Sequence, residues 1–254
     1  MSQKIAMIVD GKVERFLLPD PNQQVLPGVK WGHHYATFTP AFWATVAWLD
    51  GVDGRYSAFR LGKTLEEEVG ACLLGGHGIP AEIGLAAFYR VRDCGLLAGE
   101  PPSENTLYQT LSAPLMIEGR EVRYRFARQR SKYLSAALNK LHHTPPPTHD
   151  ALAFRQCLLE LSGVGPKTAS WITRNWLESD RVAIIDIHIH RAGLLMGLYQ
   201  LDESPAKHYF DMEHKFLAFA RNIGVKASIL DALIWRRMKD AGNLVFKLMK
   251  RIPS

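Results

Sequence analysis

LSGVGPKTASWITRNWLESDRVAIIDIHIHR, residues 161–191, is the stretch on which the reading of the chain turns. Ser162-Gly163-Val164-Gly165 separates two helical patterns, with Leu152, Leu158, Leu159 and Leu161 before it and Thr168, Ala169 and Ile172 after it. Pro166 stands just past the second glycine, where a missing N–H costs nothing because first-turn amides have no intrahelical partner. The two glycines permit positive φ and a close approach of the backbone to an outside group. The amides of Gly163, Gly165 and Lys167 then face outward at a helix N-terminus, a ready anion site. A nucleic-acid phosphate suits it, directly or through a bridging monovalent cation. Gly163, Gly165 and Thr168 are the expected DNA contacts of this helix–hairpin–helix signature. On its own a G-x-G-x-K-x-A hairpin is also found in non-catalytic DNA-binding modules.

Asp186 sharpens the reading. The helix from Pro166 to Leu177 rises about 1.5 Å per residue and carries the chain on the order of 15 Å beyond Lys167. Glu178 to Asp180 turns it, and the apolar run Val182-Ala183-Ile184-Ile185 returns at about 3.3 Å per extended residue. The two paths roughly cancel, so Asp186 is expected back beside Lys167, capping the helix that starts at Ile187. A neutral amine at a DNA-facing tip is a nucleophile. A carboxylate beside it stabilises positive charge developing on a sugar ring. Together they suit cleavage of a glycosidic bond at C1′ and a Schiff base on the opened sugar. The alternative is a structural hairpin with an incidental helix-capping aspartate.

The spacing, with Ile185-Asp186-Ile187-His188-Ile189-His190-Arg191, resembles the helix–hairpin–helix (HhH-GPD) DNA glycosylases. That resemblance implies that Lys167 and Asp186 are the catalytic pair of a bifunctional enzyme. Arg130-Ser131-Lys132-Tyr133-Leu134-Ser135-Ala136-Ala137 and Leu230-Asp231-Ala232-Leu233-Ile234-Trp235 are similar to blocks of its archaeal-type 8-oxoguanine branch. The implied fold is mainly α, with two helical subdomains. Some relatives carry an iron–sulfur cluster on four clustered cysteines after the catalytic region. Here only Cys72, Cys94 and Cys157 occur and none follows, so no cluster and no other cofactor is expected. The resemblance also implies base flipping, with a wedge at Leu73-Leu74-Gly75-Gly76-His77 in which His77 fills the vacated space. The bland reading there is a glycine turn. Trp235 and Asp231 are the candidate base-pocket residues, against a reading of Trp235 as core.

Composition agrees with that class. The 254 residues, 47% of them hydrophobic, hold enough apolar material for one large domain or two small ones. A formal charge of +6 and a pI near 9.2 favour a polyanionic partner, here double-stranded DNA. Seven basic residues against two acids lie between Glu118 and Lys140 and account for most of that charge. Read as a helix from Arg120 to Leu141, the segment lays Arg125, Arg128, Arg130 and Lys132 along a phosphate backbone; otherwise it is a solvated face. No apolar run approaches the roughly 20 residues of a membrane span, and no signal peptide opens the chain. A cytoplasmic, nucleoid-associated monomer is expected.

In order, residues 4–18 alternate about Asp10-Gly11 as two strands, and Pro19 to Lys30 reads as a loop. Helices follow from Thr39-Pro40, from a Thr64/Glu67 capping box, after Pro80, over Leu107 and Leu111, and from Ser204-Pro205, Val225 and Leu244. The expected division is an N-terminal β-hairpin extension over 1–30, a helical subdomain of 31–111 with 201–254, and a catalytic subdomain over 112–200. Neither His33-His34 nor Asp186-x-His188-x-His190 is expected to hold a metal, the latter because i and i+2 positions of a helix face apart. The base stays open. It is 8-oxoguanine by resemblance, or a bulky hypermodified base of phage DNA removed in defence, since the glycine-rich stretch leaves room and the chain ends without the family's terminal lysine.

Overall fold

A computed structural model describes residues 1–9, 11–52, 60–76 and 78–252. Among these the chain forms eleven helices and six short strands, and the strands pair only as three two-stranded antiparallel hairpins. The chain divides into two compact units, residues 1–57 with 180–254 and residues 58–179.

The first unit opens with β1 (Gln3–Val9) and β2 (Lys12–Leu18), paired from Gln3 opposite Leu18 to Val9 opposite Lys12. Alternation turns Ile5, Phe16 and Leu18 toward the core, where Phe16 stacks on Trp48 of α1 (Pro40–Val52) at 5.1 Å. The expected loop over Pro19–Lys30 is corrected here. It contains β3 (Gln24–Leu26) and β4 (Val29–Lys30), turned by Gly28 at φ +79°, and it buries Val25 and Val29. Strands of two or three residues are too short to show an alternation. Four helices complete the unit: α8 (Ile187–Leu195), α9 (Pro205–Asn222), α10 (Ala227–Ala241) and α11 (Asn243–Met249). Helix α10 is the hub, packed on α1, α8, α9 and α11 through Leu230, Leu233 and Ile234.

The second unit comprises α2 (Leu65–Leu74), α3 (Ala81–Asp93), α4 (Glu104–Ser112), β5 (Leu115–Ile117), β6 (Arg120–Val122), α5 (Ala127–His143), α6 (Ala151–Leu159) and α7 (Pro166–Leu177). The expected basic helix from Arg120 is therefore two elements. Glu118 and Gly119 both take positive φ, +50° and +76°, which is the backbone of a tight two-residue hairpin loop. That loop pairs Arg120–Val122 with β5 and delays the helix to Ala127.

The expected grouping of 31–111 with the C-terminal helices is also corrected. Val69, Leu73, Phe88, Leu107 and Leu111 share one core with Leu134, Phe154, Leu158 and Ile172, while residues 31–50 and 183–198 share the other. Amphipathic stripes say that each helix buries a face, and nothing about which partner it meets.

Candidate active site

The hairpin between α6 and α7 is pinned by its two apolar residues. Leu161 and Val164 are buried, and their amides close short turns onto Leu158 and Leu161, while Ser162, Gly163 and Gly165 face outward. Burying the two side chains supplies about 1.5–3 kcal/mol each, enough to hold a turn that has no strand or helix of its own. Gly163 takes φ +79°, and a Cβ there would come within 2.3 Å of the Tyr133 ring on α5. Gly165 is different. It precedes α7 at φ −95°, and a Cβ would meet nothing within 4 Å. The amides of Gly163, Gly165, Lys167 and Thr168 have no hydrogen-bond partner among the described residues. A tight turn backed by a ring on one side and open on the other is a surface for an anion.

Lys167 stands in the first turn of α7, half-buried, and makes no hydrogen bond or ion pair among the described residues. A cation in that turn opposes the helix dipole and costs about 0.3–1 kcal/mol, so fold stability does not explain the residue. The helix that carries it is well anchored. Ala169 and Ile172 enter the core, and Asn175 Nδ2 donates to Oε1 of the fully buried Glu68 at 2.7 Å. The other oxygen of Glu68 accepts from the amides of Leu61 and Gly62 at 2.7 and 2.9 Å. Beside this carboxylate, burial pushes the Cys72 thiol well above its ordinary range, so Cys72 is an inert packing group.

Asp186, in the first unit, ends the run 182–186, which belongs to no helix or strand among the described residues. Side chains satisfy its backbone instead: the amide of Ala183 donates to Glu213 Oε1 at 3.0 Å, that of Ile184 to Asp231 Oδ2 at 3.1 Å, and that of Ile185 to the Tyr209 hydroxyl at 3.2 Å. The Tyr209 hydroxyl in turn donates to the Ala183 carbonyl at 2.9 Å. Unpaired buried amides would each cost about 1–3 kcal/mol, so these three buried side chains hold the run in place. The result is Asp186 at the N-cap of α8, with Oδ1 accepting from His188 N at 2.8 Å and Ile189 N at 2.9 Å. Its Oδ2 has no hydrogen-bond partner among the described residues. One oxygen serves the fold and the other is available.

Residues 63–225, well over half of the chain, match the model of the Ogg-HhH family, described as 8-oxoguanine DNA glycosylase. The chain belongs to that family. Among curated proteins it is similar to an 8-oxoguanine DNA glycosylase/AP lyase of Saccharolobus islandicus, 30% identical over 134 residues, or 48% of this chain and 62% of the relative. The chain thus spans somewhat under two thirds of that relative's length. Among solved structures it resembles the 8-oxoguanine DNA glycosylase of Methanocaldococcus jannaschii, with a TM-score of 0.61 and 22% identity over 82% of this chain and 98% of the other. It also resembles that organism's 8-oxoguanine glycosylase/lyase in complex with a 15mer DNA containing 8-oxoguanine, with a TM-score of 0.51 and 23% identity over 76% and 91%. The likeness to the two structures is one of fold.

The Ogg-HhH match takes in Lys167 and Asp186 and leaves residues 1–62 and Trp235 outside it. Within it, Arg125, Arg128 and Lys132 are exposed and, with Glu104, Phe126 and Gln129, line an open cavity of about 490 Å³. Arg128 lies 5.0 Å over the Tyr108 ring and Arg125 5.2 Å over Phe126. Arg130 is turned inward, its Nε enclosed without a hydrogen-bond partner, so it stands apart from these three. His77 lies outside the described residues. Trp235 is 41% exposed on α10, with the His188 ring edge-on at 6.3 Å and Lys239 Nζ 5.0 Å from its face. Asp231 is 2% exposed and accepts from the Ile184 amide, which makes it a support of the Asp186 run.

His190 Nε2 is 2.9 Å from the Glu203 carbonyl, and burial holds its imidazole below the usual range. Among the described residues no three His, Cys, Asp or Glu are grouped to hold a metal, and no helix is long and apolar enough to cross a membrane. Glu68, Glu213 and Tyr209 are not singled out by the sequence, and Tyr133 enters it only within the Arg130–Ala137 block. Glu68 lies next to the recognisable Thr64/Glu67 cap, where Thr64 Oγ1 accepts from Glu67 N at 3.2 Å, and the remaining three act across gaps no local pattern spans.

Proposed function

We propose that the chain is a DNA glycosylase of base excision repair that removes 8-oxoguanine from double-stranded DNA and then cleaves the abasic strand through a lysine Schiff base. The observation that carries this is Lys167: an amine with no partner among the described residues, in the first turn of α7, beside outward-facing amides that also have none there. Membership of the Ogg-HhH family and the curated glycosylase/AP lyase relatives support the substrate.

In this reading the hairpin amides of Gly163, Gly165 and Thr168 hold a backbone phosphate, and Arg125, Arg128 and Lys132 hold further phosphates of the same duplex. Nζ of Lys167 attacks C1′ and gives up a proton as the new C–N bond forms. The N-glycosidic bond breaks, and the base leaves with the bonding pair and takes up a proton. Asp186 stabilises the positive charge on the sugar through its available Oδ2. Ring opening gives the C1′ imine on Nζ, and loss of a C2′ proton expels the 3′ phosphate. Trp235 offers a ring face on which the flipped base stacks. The chemistry asks for an amine, a carboxylate and a bound strand, and no cofactor.

The test is a panel of duplexes with single modified bases, scored first for base release and then for strand cleavage. Release of 8-oxoguanine with borohydride-trappable protein is expected. Release of a glucosylated base alone would keep the catalytic pair and replace the substrate. Binding without release of any base would reduce the chain to a DNA-binding hairpin protein.

A further inference from the structure

We infer that Tyr35, on the loop between β4 and α1, is a stacking platform for an unpaired nucleobase. Tyr35 is 71% exposed. One face is already backed, because the His33 ring stacks on it at 4.9 Å and 18°, and His34 meets it edge-on at 5.3 Å. The ring therefore presents itself to solvent in a fixed orientation.

The loop that carries it is locked to a degree a surface loop does not need for its own sake. The buried Gln3 side chain commits its whole amide to it. Nε2 donates to the Pro19 and Gly32 carbonyls at 3.0 and 2.9 Å, and Oε1 accepts from His34 N at 2.8 Å and lies 3.1 Å from His34 Nδ1. Thr39 Oγ1 donates toward the His33 and Ala36 carbonyls at 2.8 and 3.0 Å. Gly32 takes φ +67° so close to Thr39 that a Cβ would lie 2.7 Å from its methyl. Phe38 takes φ +68°, a strained conformation for a residue with a Cβ, held by a stack on Trp43 at 5.5 Å. Strain and buried polar bonds thus converge on a segment whose most prominent outcome is one exposed aromatic ring. Strained, over-determined backbone of this kind marks recognition sites.

The chemistry of the surroundings selects the ligand. Beside the ring lies a cavity of about 370 Å³ lined by Gln3, Asp20, Asn22, His33, His34 and Tyr35. It suits a flat group with donors and acceptors on its edge, stacked on the open face of Tyr35. Exposed Lys30 lies on the adjoining β4, so a phosphodiester has a cation close by in the chain. The choice of a nucleobase over another planar group rests on the reading of the chain as a DNA enzyme. Stacking on a tyrosine tolerates any base, because every base has a π face, so the ligand is single-stranded or bulged DNA of any sequence.

The full chain is tested by fluorescence anisotropy with a labelled single-stranded thymidine 15-mer, and by long-wavelength irradiation of the same strand carrying one 5-iodouracil. Tyr35→Leu should weaken single-strand binding by about tenfold, and Tyr35→Trp should restore it. The crosslink should map to residues 33–35. Binding unchanged to within twofold in Tyr35→Leu, no binding by the parent protein, a loss that Trp does not restore, or a crosslink elsewhere would each overturn the inference. None of these readouts uses base release, so an inactive protein that still binds through Tyr35 would refute the glycosylase reading alone.

Discussion

The Tyr133 ring lies where a side chain at residue 163 would have to be: a Cβ on Gly163 would sit 2.3 Å from Tyr133 Cδ2. Helix α5 thereby shapes the hairpin from behind, and the two hairpin glycines serve different ends. Gly163 is glycine because of what lies inside the protein. Gly165, whose Cβ would enter open space, is glycine either for capping or because of what approaches from outside.

The two should separate on substitution. Gly163→Ala combines overpacking with a positive φ and should destabilise by about 1–3 kcal/mol, seen as a lower Tm. Tyr133→Ala added to it should recover part of that loss, leaving the backbone term. Gly165→Ala should cost no more than about 1 kcal/mol, the loss of a good N-cap residue. Its duplex affinity should nonetheless fall as far as that of Gly163→Ala. If Gly165→Ala binds DNA normally, the anion does not approach at that amide.

Lys167→Gln should abolish borohydride trapping on 8-oxoguanine DNA and leave duplex binding within a few-fold. Because the lysine opposes the helix dipole and bonds to nothing among the described residues, the variant should melt at or slightly above the parent temperature. Trapping that persists would move the nucleophile to another amine.

Much of this was legible in the chain, for local reasons. Glycine, proline and the cap residues act over three or four positions, so the hairpin, the Thr64 cap and the Asp186 cap could be read directly. The misread pieces needed distance or an exception. The β5–β6 turn puts a glutamate, Glu118, at positive φ, a conformation more usual for glycine or asparagine. The support of residues 183–185 comes from Glu213, Asp231 and Tyr209, at separations of 30, 47 and 24 residues. Buried acids so far along the chain look like surface residues of amphipathic helices until the fold brings them to the amides.

The exposed cations on and beside α5 should act on affinity and not on selectivity. Replacing Arg125, Arg128 and Lys132 together with alanine should weaken binding to lesion and undamaged duplex alike. The dependence of log K on log salt should become shallower by about one for each phosphate that is no longer neutralised. Removing the Arg128–Tyr108 and Arg125–Phe126 cation–π pairs should cost only about 0.5–1 kcal/mol each at such exposed positions. An unchanged slope would place this face in plain solvent.

Asp186 allows the sharpest division between folding and chemistry, because its two oxygens do different things. Oδ1 closes the first turn of α8 through His188 N and Ile189 N, whereas Oδ2 bonds to nothing among the described residues. Asp186→Asn keeps an oxygen for the cap, and asparagine is as good an N-cap as aspartate, so the melting temperature should hold. Asp186→Ala removes the cap and should cost about 0.5–2 kcal/mol. If the charge serves the reaction, both variants should lose base release by orders of magnitude, and they should lose it equally. If the cap is all that Asp186 provides, Asn should be active and Ala impaired, in step with their stabilities. Single-turnover base release set beside thermal melting of the two variants decides between these outcomes.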